Sequence, residues 1–239
     1  MRNVDDVAAI WEDLTRRSFA MVRLSDDSVH RHLPRVAALL DGIARDSYEE
    51  ALEFGRLKLP HKEFMAVKLG VPFASLWPNE ETRRFCEELF ALQEQLARRV
   101  FLGFDVPGGA ELLQEEPMEI GQISSSFMHL FRYTGAQAST GDPCAPHTDS
   151  GLITIIPRAL GAPGLECHDG RRFVATESLF ADVPNVCTIL AGETLAALTR
   201  GRVRGTVHRV TATPGERFSI PFQLRASDLS EKLRELIVS

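Results

Sequence analysis

No run of apolar residues in this chain is long enough to cross a bilayer, and no Cys-x-x-Cys pair occurs among its four cysteines, Cys86, Cys144, Cys167 and Cys187. The first absence argues against a helical membrane span. The second removes zinc-ribbon readings, and a chain of 239 residues needs no disulfide framework. The thiols are expected free in a reducing compartment. An excess of positive charge is missing as well. Lys plus Arg number 27 against 33 Asp plus Glu, a net charge of −6, which argues against general binding to nucleic-acid phosphates. An apolar signal region is lacking after Met1, where Asp5 and Asp6 follow closely, so a cytoplasmic location is expected. There is no internal repeat and no low-complexity tract. Oligomeric state has no signature in the sequence.

What is present is an ordinary globular composition, 44% apolar and 25% charged. The chain reads as one domain over 1–239: a mostly helical part over 1–118, a β core over 119–225 and a closing helix over 226–239. Val4, Val7, Trp11 and Leu14 recur at helical spacing, and a second helix follows Pro34 with Ala37, Leu40, Ala44 and Tyr48 on one side. Asn79 is a good N-cap for a third helix, whose apolar stripe is Phe85, Leu89, Leu92, Leu96 and Val100, ending at Gly103. Phe19–Leu24 reads as a strand. Beyond residue 118, strands are expected at about 121–133, 150–157, 163–168, 171–175, 185–191, 202–211 and 216–224, separated by Gly and Pro signals. Many short strands with regular turns suggest a sandwich, jelly roll or barrel.

The chemistry concentrates in that β-rich part. His147-Thr148-Asp149 is a His-x-Asp triplet followed by the strand-like Ile153-Thr154-Ile155-Ile156. Residues two apart in extended chain point the same way, so the imidazole and the carboxylate can face one point. His208, in a second strand-like segment, is the best candidate for a third ligand. Two histidines and one carboxylate on one face of a metal make the facial triad of non-heme Fe(II) oxygenases, with positions left open. An anionic cosubstrate at such a site needs a second cation. Alternation over 216–223 places Arg217, Ser219, Pro221 and Gln223 on one face and Phe218, Ile220 and Phe222 on the other. Arg217 beside Ser219 can hold a carboxylate. Arg-x-Ser recurs at Arg16/Ser18, Arg23/Ser25 and Arg225/Ser227, and of these only Arg225/Ser227 competes by position.

These stretches resemble the Fe(II)- and 2-oxoglutarate-dependent dioxygenases of the isopenicillin N synthase-like group. The resemblance rests on Ala145–Thr154, on Ala191-Gly192-Glu193 ahead of Val207-His208-Arg209-Val210, and on Glu216–Phe222. It is strong over about 121–224 and weaker around Phe19–Val22 and His61–Phe64. It implies a mainly β fold with flanking helices: a double-stranded β-helix, or jelly-roll, core wrapped by N-terminal helices and a C-terminal helix. It implies His147, Asp149 and His208 as iron ligands, with Fe(II), 2-oxoglutarate and O2 as cofactor and cosubstrates. Arg217, Ser219 and Tyr133 would bind the distal carboxylate. Tyr133 stands in Phe131-Arg132-Tyr133-Thr134-Gly135, where many relatives have Asn-Tyr-Pro-Pro. The implied reaction oxidises a small-molecule substrate and releases succinate and CO2. If Tyr133 faces the interior, so do Phe127, His129 and Phe131, and with Gln223 they are the expected substrate-pocket lining. Two other readings of the same residues are an iron/O2 oxidase that does not use 2-oxoglutarate and a non-catalytic jelly-roll binding module.

Overall fold

The computed structural model describes residues 1–42, 47–71, 77, 79–115, 118–119, 121–134 and 142–227. Four α-helices are described: α1 (Val7–Arg17), α2 (Leu33–Gly42), α3 (Glu80–Leu102) and α4 (Glu193–Leu198). Asp6 caps α1 by accepting from the Ala9 N–H, and Asn79 caps α3 by accepting from the Thr82 N–H at 2.8 Å. The buried face of α3 runs through Phe85, Leu89, Phe90, Gln93, Ala97 and Val100. It is rotated from the expected stripe, and Leu92 and Leu96 lie at its half-buried margin. The second helix is shorter than expected. It ends at Gly42, Tyr48 lies beyond it, and Ala44 falls outside the described residues. The expected C-terminal helix falls outside them too.

Before residue 118 the chain supplies strands as well as helices: β1 (Arg2–Asn3), β2 (Phe19–Arg23), β3 (Gly55–Lys58) and β4 (Lys62–Val67). After it come β5 (Phe127–Tyr133), β6 (Cys144–His147), β7 (Ile153–Pro157), β8 (Leu160–Gly161), β9 (Leu165–His168), β10 (Phe173–Ala175), β11 (Val186–Ala191), β12 (His208–Val210), β13 (Arg217–Ser219) and β14 (Phe222–Leu224). The expected strand over 216–224 is thus two strands, parted at Ile220-Pro221. Pro221 has no N–H to give to a ladder, while its carbonyl still accepts from the His129 N–H at 2.9 Å.

The strands form two sheets of a jelly roll. The larger runs β1-β2-β11-β7-β14-β5-β13-β8, with β4 added on β5 and β3 on β4; the smaller runs β10-β9-β12-β6. The N-terminal strands therefore extend the β core instead of standing apart from it, β2 pairing with β11 and β4 with β5. Alternation explains the uninterrupted apolar run in β2. Ala20 and Val22 face the main core under the helices, whereas Phe19 and Met21 face a second cluster with Ile156, Leu165 and Leu190. Helix α3 closes the main core, with Phe90 edge-on to Phe222 of β14 at 5.0 Å between ring centroids.

Candidate active site

Antiparallel register assembles the site. His208 of β12 lies directly opposite His147 of β6, and the two rings stand 4.2 Å apart. Opposite residues in such a pair share a face of the sheet. Asp149 follows two residues after His147, in a turn stitched to the start of α4. Gly192 N–H donates to Leu152 O, Glu193 N–H to Asp149 O and Thr194 N–H to Gly151 O. A side chain at Gly192 would place its Cβ 2.0 Å from the Gly151 carbonyl oxygen, so only glycine lets the turn approach this closely.

The result is a convergent donor set. One ligand atom from each of His147, Asp149 and His208 lies within 4.8 Å of the other two. His147 Nε2 is 3.8 Å from Asp149 Oδ1, and His208 Nε2 is 3.9 Å from Asp149 Oδ2. Each ring's other nitrogen is held by a backbone carbonyl: His147 Nδ1 by Ala145 O at 2.9 Å and His208 Nδ1 by Thr206 O at 3.1 Å. With Nδ1–H donating outward, the Nε2 lone pairs point at the common centre, which is the tautomer a metal requires. Thr154 Oγ1 donates to Asp149 Oδ2 at 2.5 Å, fixing the carboxylate. These residues fit a divalent ion such as Fe(II). His208 is buried, and desolvation holds its pKa below the ordinary value, favouring the neutral ligand form. His147, the exposed member, is pushed up to about 9, chiefly by its contact with the Cys144 thiol.

Across a cavity of about 130 Å³ lies the larger sheet. There Arg217 is directly opposite Tyr133 and Ser219 is opposite Phe131. Arg217, Ser219 and Tyr133 all line the cavity, as do Phe127, His129 and Gln223. The guanidinium of Arg217 sits over the Tyr133 ring at 5.1 Å. The cavity wall along β5 is aromatic, with His129 between Phe127, edge-on at 4.7 Å, and Phe131, tilted against it at 4.9 Å. Desolvation pushes the His129 pKa down to about 4, so its ring is neutral at pH 7. Arg225 is placed differently from Arg217. It donates to Gln223 Oε1 and to Glu53 Oε2, both at 2.6 Å, and does not border the cavity.

The sequence pattern of the 2OG-Fe(II) oxygenase superfamily matches residues 128–226, which hold all three converging ligands and the Arg217–Ser219 strand. Over that segment the chain carries the superfamily's pattern. Gibberellin 2-beta-dioxygenase 5 of Oryza sativa subsp. japonica is 32% identical over 156 residues, 64% of this chain and 43% of that protein. Homoarginine-6-hydroxylase of Arabidopsis thaliana is 27% identical over 146 residues, 56% of this chain and 41% of that protein. The matches thus span about two fifths of these curated relatives. Among solved structures, a full-length Neurospora crassa protein in complex with alpha-KG and 5-formyluracil aligns with a TM-score of 0.70 at 16% identity, over 95% of this chain and 80% of that one. The dioxygenase for auxin oxidation 1 of Arabidopsis thaliana, bound to 2-oxoglutarate, gives 0.66 at 16% identity, over 94% and 91%. At these identities the likeness is one of fold. The superfamily's cofactor and cosubstrates are Fe(II), 2-oxoglutarate and O2, and no helix among the described residues is long and apolar enough to cross a membrane.

Two residues of this site escape a reading of the sequence. Thr154 is one apolar-strand residue among several until the fold aims it at Asp149. Glu177 is the other. It follows β10 and accepts from Arg217 through both oxygens, from Nη2 at 2.8 Å and from Nε at 3.2 Å. Both partners are almost fully buried. Glu177 also accepts from the backbone N–H groups of Ala159, Gly164 and Leu165. Burial works to raise the Glu177 pKa, but Arg217 and the hydrogen bonds outweigh it and hold the carboxyl below its ordinary value.

Proposed function

We propose that this chain is a non-heme Fe(II)- and 2-oxoglutarate-dependent oxygenase that oxidises a small, uncharged molecule. The observation that carries the reading is the pairing of two opposed sites across one cavity. On one side the Nε2 atoms of His147 and His208 converge on Asp149; on the other stand Arg217 and Ser219. His147, Asp149 and His208 would hold the iron, and Arg217, Ser219 and Tyr133 the distal carboxylate of 2-oxoglutarate. With O2, the bound iron and cosubstrate supply the oxidising equivalent, with release of succinate and CO2. The backbone carbonyls of Ala145 and Thr206 keep the imidazoles in the ligating tautomer, and Thr154 orients Asp149.

Phe127, His129, Phe131 and Gln223 form the substrate wall in this reading. A neutral His129 between two phenylalanines favours an uncharged, apolar or flat substrate. Arg225 has only donors, so its bond to Gln223 Oε1 turns the amide NH2 away from it, as a donor for a substrate oxygen or nitrogen. His129→Ala should change substrate binding and leave iron binding intact; loss of iron would refute this assignment. Arg209 of β12 is engaged by Glu166 and Asp142, so its charge is already paired. The 1–239 span is read as a single domain, and free thiols at Cys86, Cys144, Cys167 and Cys187 support a cytoplasmic setting.

One observation favours a second reading. Glu177 already neutralises Arg217, as an iron/O2 oxidase without 2-oxoglutarate would tolerate. Anaerobic titration with Fe(II) and then 2-oxoglutarate separates the two. The proposal expects the visible charge-transfer band of a metal-chelated 2-oxo acid. Iron binding with no band would favour the oxidase, and no iron binding would leave a binding module.

A further inference from the structure

We infer that Glu177 is a positioning residue for cosubstrate selection: it holds Arg217 so that the site selects a dicarboxylate by length. This rests on the reading of Arg217 as the 2-oxoglutarate clamp. Glu177 lies outside the cavity that Arg217 lines, so it grips the guanidinium from behind. It takes one edge of the guanidinium, Nε and Nη2, in a two-point fork. A fork of this kind fixes the plane and depth of the group as well as pairing its charge. Three backbone N–H groups from the β7–β9 connection fix the carboxylate in turn. None of these five contacts depends on a ligand, so Arg217 has its orientation before any cosubstrate arrives.

Two consequences follow. A buried arginine with no partner would attract any anion of suitable size and would cost much to maintain. Paired with Glu177, it presents an electrically balanced group whose remaining N–H donors have one direction and one depth. The distance from those donors to the His147–Asp149–His208 centre then becomes the ruler. A 2-oxo acid must chelate the metal at one end and meet Arg217 at the other. Chains one methylene shorter or longer meet the guanidinium badly, and no general electrostatic attraction rescues them. Sequence reading misses the residue because Thr176-Glu177-Ser178 has the look of any polar turn.

The test is isothermal titration of the anaerobic Fe(II)-loaded protein with oxaloacetate, 2-oxoglutarate and 2-oxoadipate, which differ by one methylene each. Three proteins are compared with wild type: E177Q, E177D and the double variant R217M/E177Q, with Fe(II) affinity measured separately in each. In E177Q the preference for 2-oxoglutarate over the other two should fall at least fivefold. In E177D the carboxylate keeps its charge but is one methylene shorter. It should draw Arg217 back from the cavity and shift preference toward 2-oxoadipate by at least fivefold. Fe(II) affinity should stay within twofold of wild type in both, which general disruption of the fold would not permit. If E177Q fails to fold, E177D carries the test alone. Weak 2-oxoglutarate binding in the double variant, with preference ratios unchanged in the two single variants, would overturn the role of Glu177 alone. Wild-type binding in the double variant would overturn the clamp itself, and this inference with it.

Discussion

Replacing Arg217 by alanine should do more than remove a ligand contact; it should bring the protein close to unfolding. The substitution leaves Glu177, about 3% exposed at its side chain, without the cation it faces. Breaking a buried ion pair by deleting one partner costs about 3–5 kcal/mol, because the other charge stays in a poor solvent. The backbone donors of Ala159, Gly164 and Leu165 remain and soften the loss, so the lower end, about 3 kcal/mol, is expected. That is a large share of the roughly 5–15 kcal/mol by which a native protein is stable. R217A/E177Q removes both charges and should recover about 2 kcal/mol of it, a coupling that a double-mutant cycle with R217A and E177Q reads directly. Urea denaturation followed by circular dichroism is the assay. At a slope near 3 kcal/mol/M the single variant's midpoint falls by about 1 M. The pH dependence has a definite sign. In wild type the folded-state pKa of Glu177 lies below its unfolded value, so its contribution is present above the unfolded pKa and lost as pH falls through the folded one. In R217A that pKa moves up, and the folded variant takes a proton that its unfolded chain releases. The stability gap between the two proteins should therefore narrow on acidification from pH 7 towards 4.5. A cost below about 1 kcal/mol, or a gap independent of pH, would refute this account of the pair.

His129→Phe should flatten the stability–pH profile between about 6.5 and 4. The folded His129 pKa of about 4 lies below the unfolded value, so the unfolded chain binds the extra proton and wild type loses stability as pH falls through that window. The loss is about 3 kcal/mol at most, since each pKa unit is about 1.4 kcal/mol and the ring borders the cavity. Melting temperatures of both proteins across that range decide it, and parallel curves would count against it. Thr154→Val keeps the shape of the side chain but removes the hydroxyl held by Asp149; Fe(II) affinity should drop about 10- to 100-fold, measured by competition with a chelator. Gly192→Ala forces its Cβ against the Gly151 carbonyl. It should destabilise the fold by about 1–3 kcal/mol and weaken metal binding together, because the displaced turn carries Asp149. Unchanged metal binding in a folded G192A would show that the turn relaxes without moving Asp149.

Short-range pattern carried much of this architecture. His147 and Asp149 are two apart, and alternation over 216–223 does set Arg217, Ser219, Pro221 and Gln223 facing the cavity while Ile220 and Phe222 enter the core. Asn79 announced α3 because a cap is a local event between neighbours. What could not be read locally was pairing between distant segments. Nothing near β2 or β4 reveals that they extend the large sheet, since an apolar strand reads alike whichever partner it meets. The rotated face of α3 has the same origin: Phe90 is buried because Phe222 waits for it, over a hundred residues later. Glu177 shows the limit most sharply. An acid in a turn is ordinarily solvated, and only the fold brings a buried arginine to it.

The hydroxyl of Thr206 donates to the carbonyl of Ser18 at 2.5 Å and accepts from the Ala191 N–H, while its own carbonyl orients His208. One residue thus joins Ser18 to His208, 190 positions later. During synthesis, β2 must wait for β11 and for the segment that carries Thr206 before this junction can close. Until then the last ligand lacks its support. Held as proposed above, a metal would be captured late in folding, and its tight binding would report that segments 190 positions apart have met. A chain stalled before that point would hold His147 and Asp149 alone, a weak pair of donors.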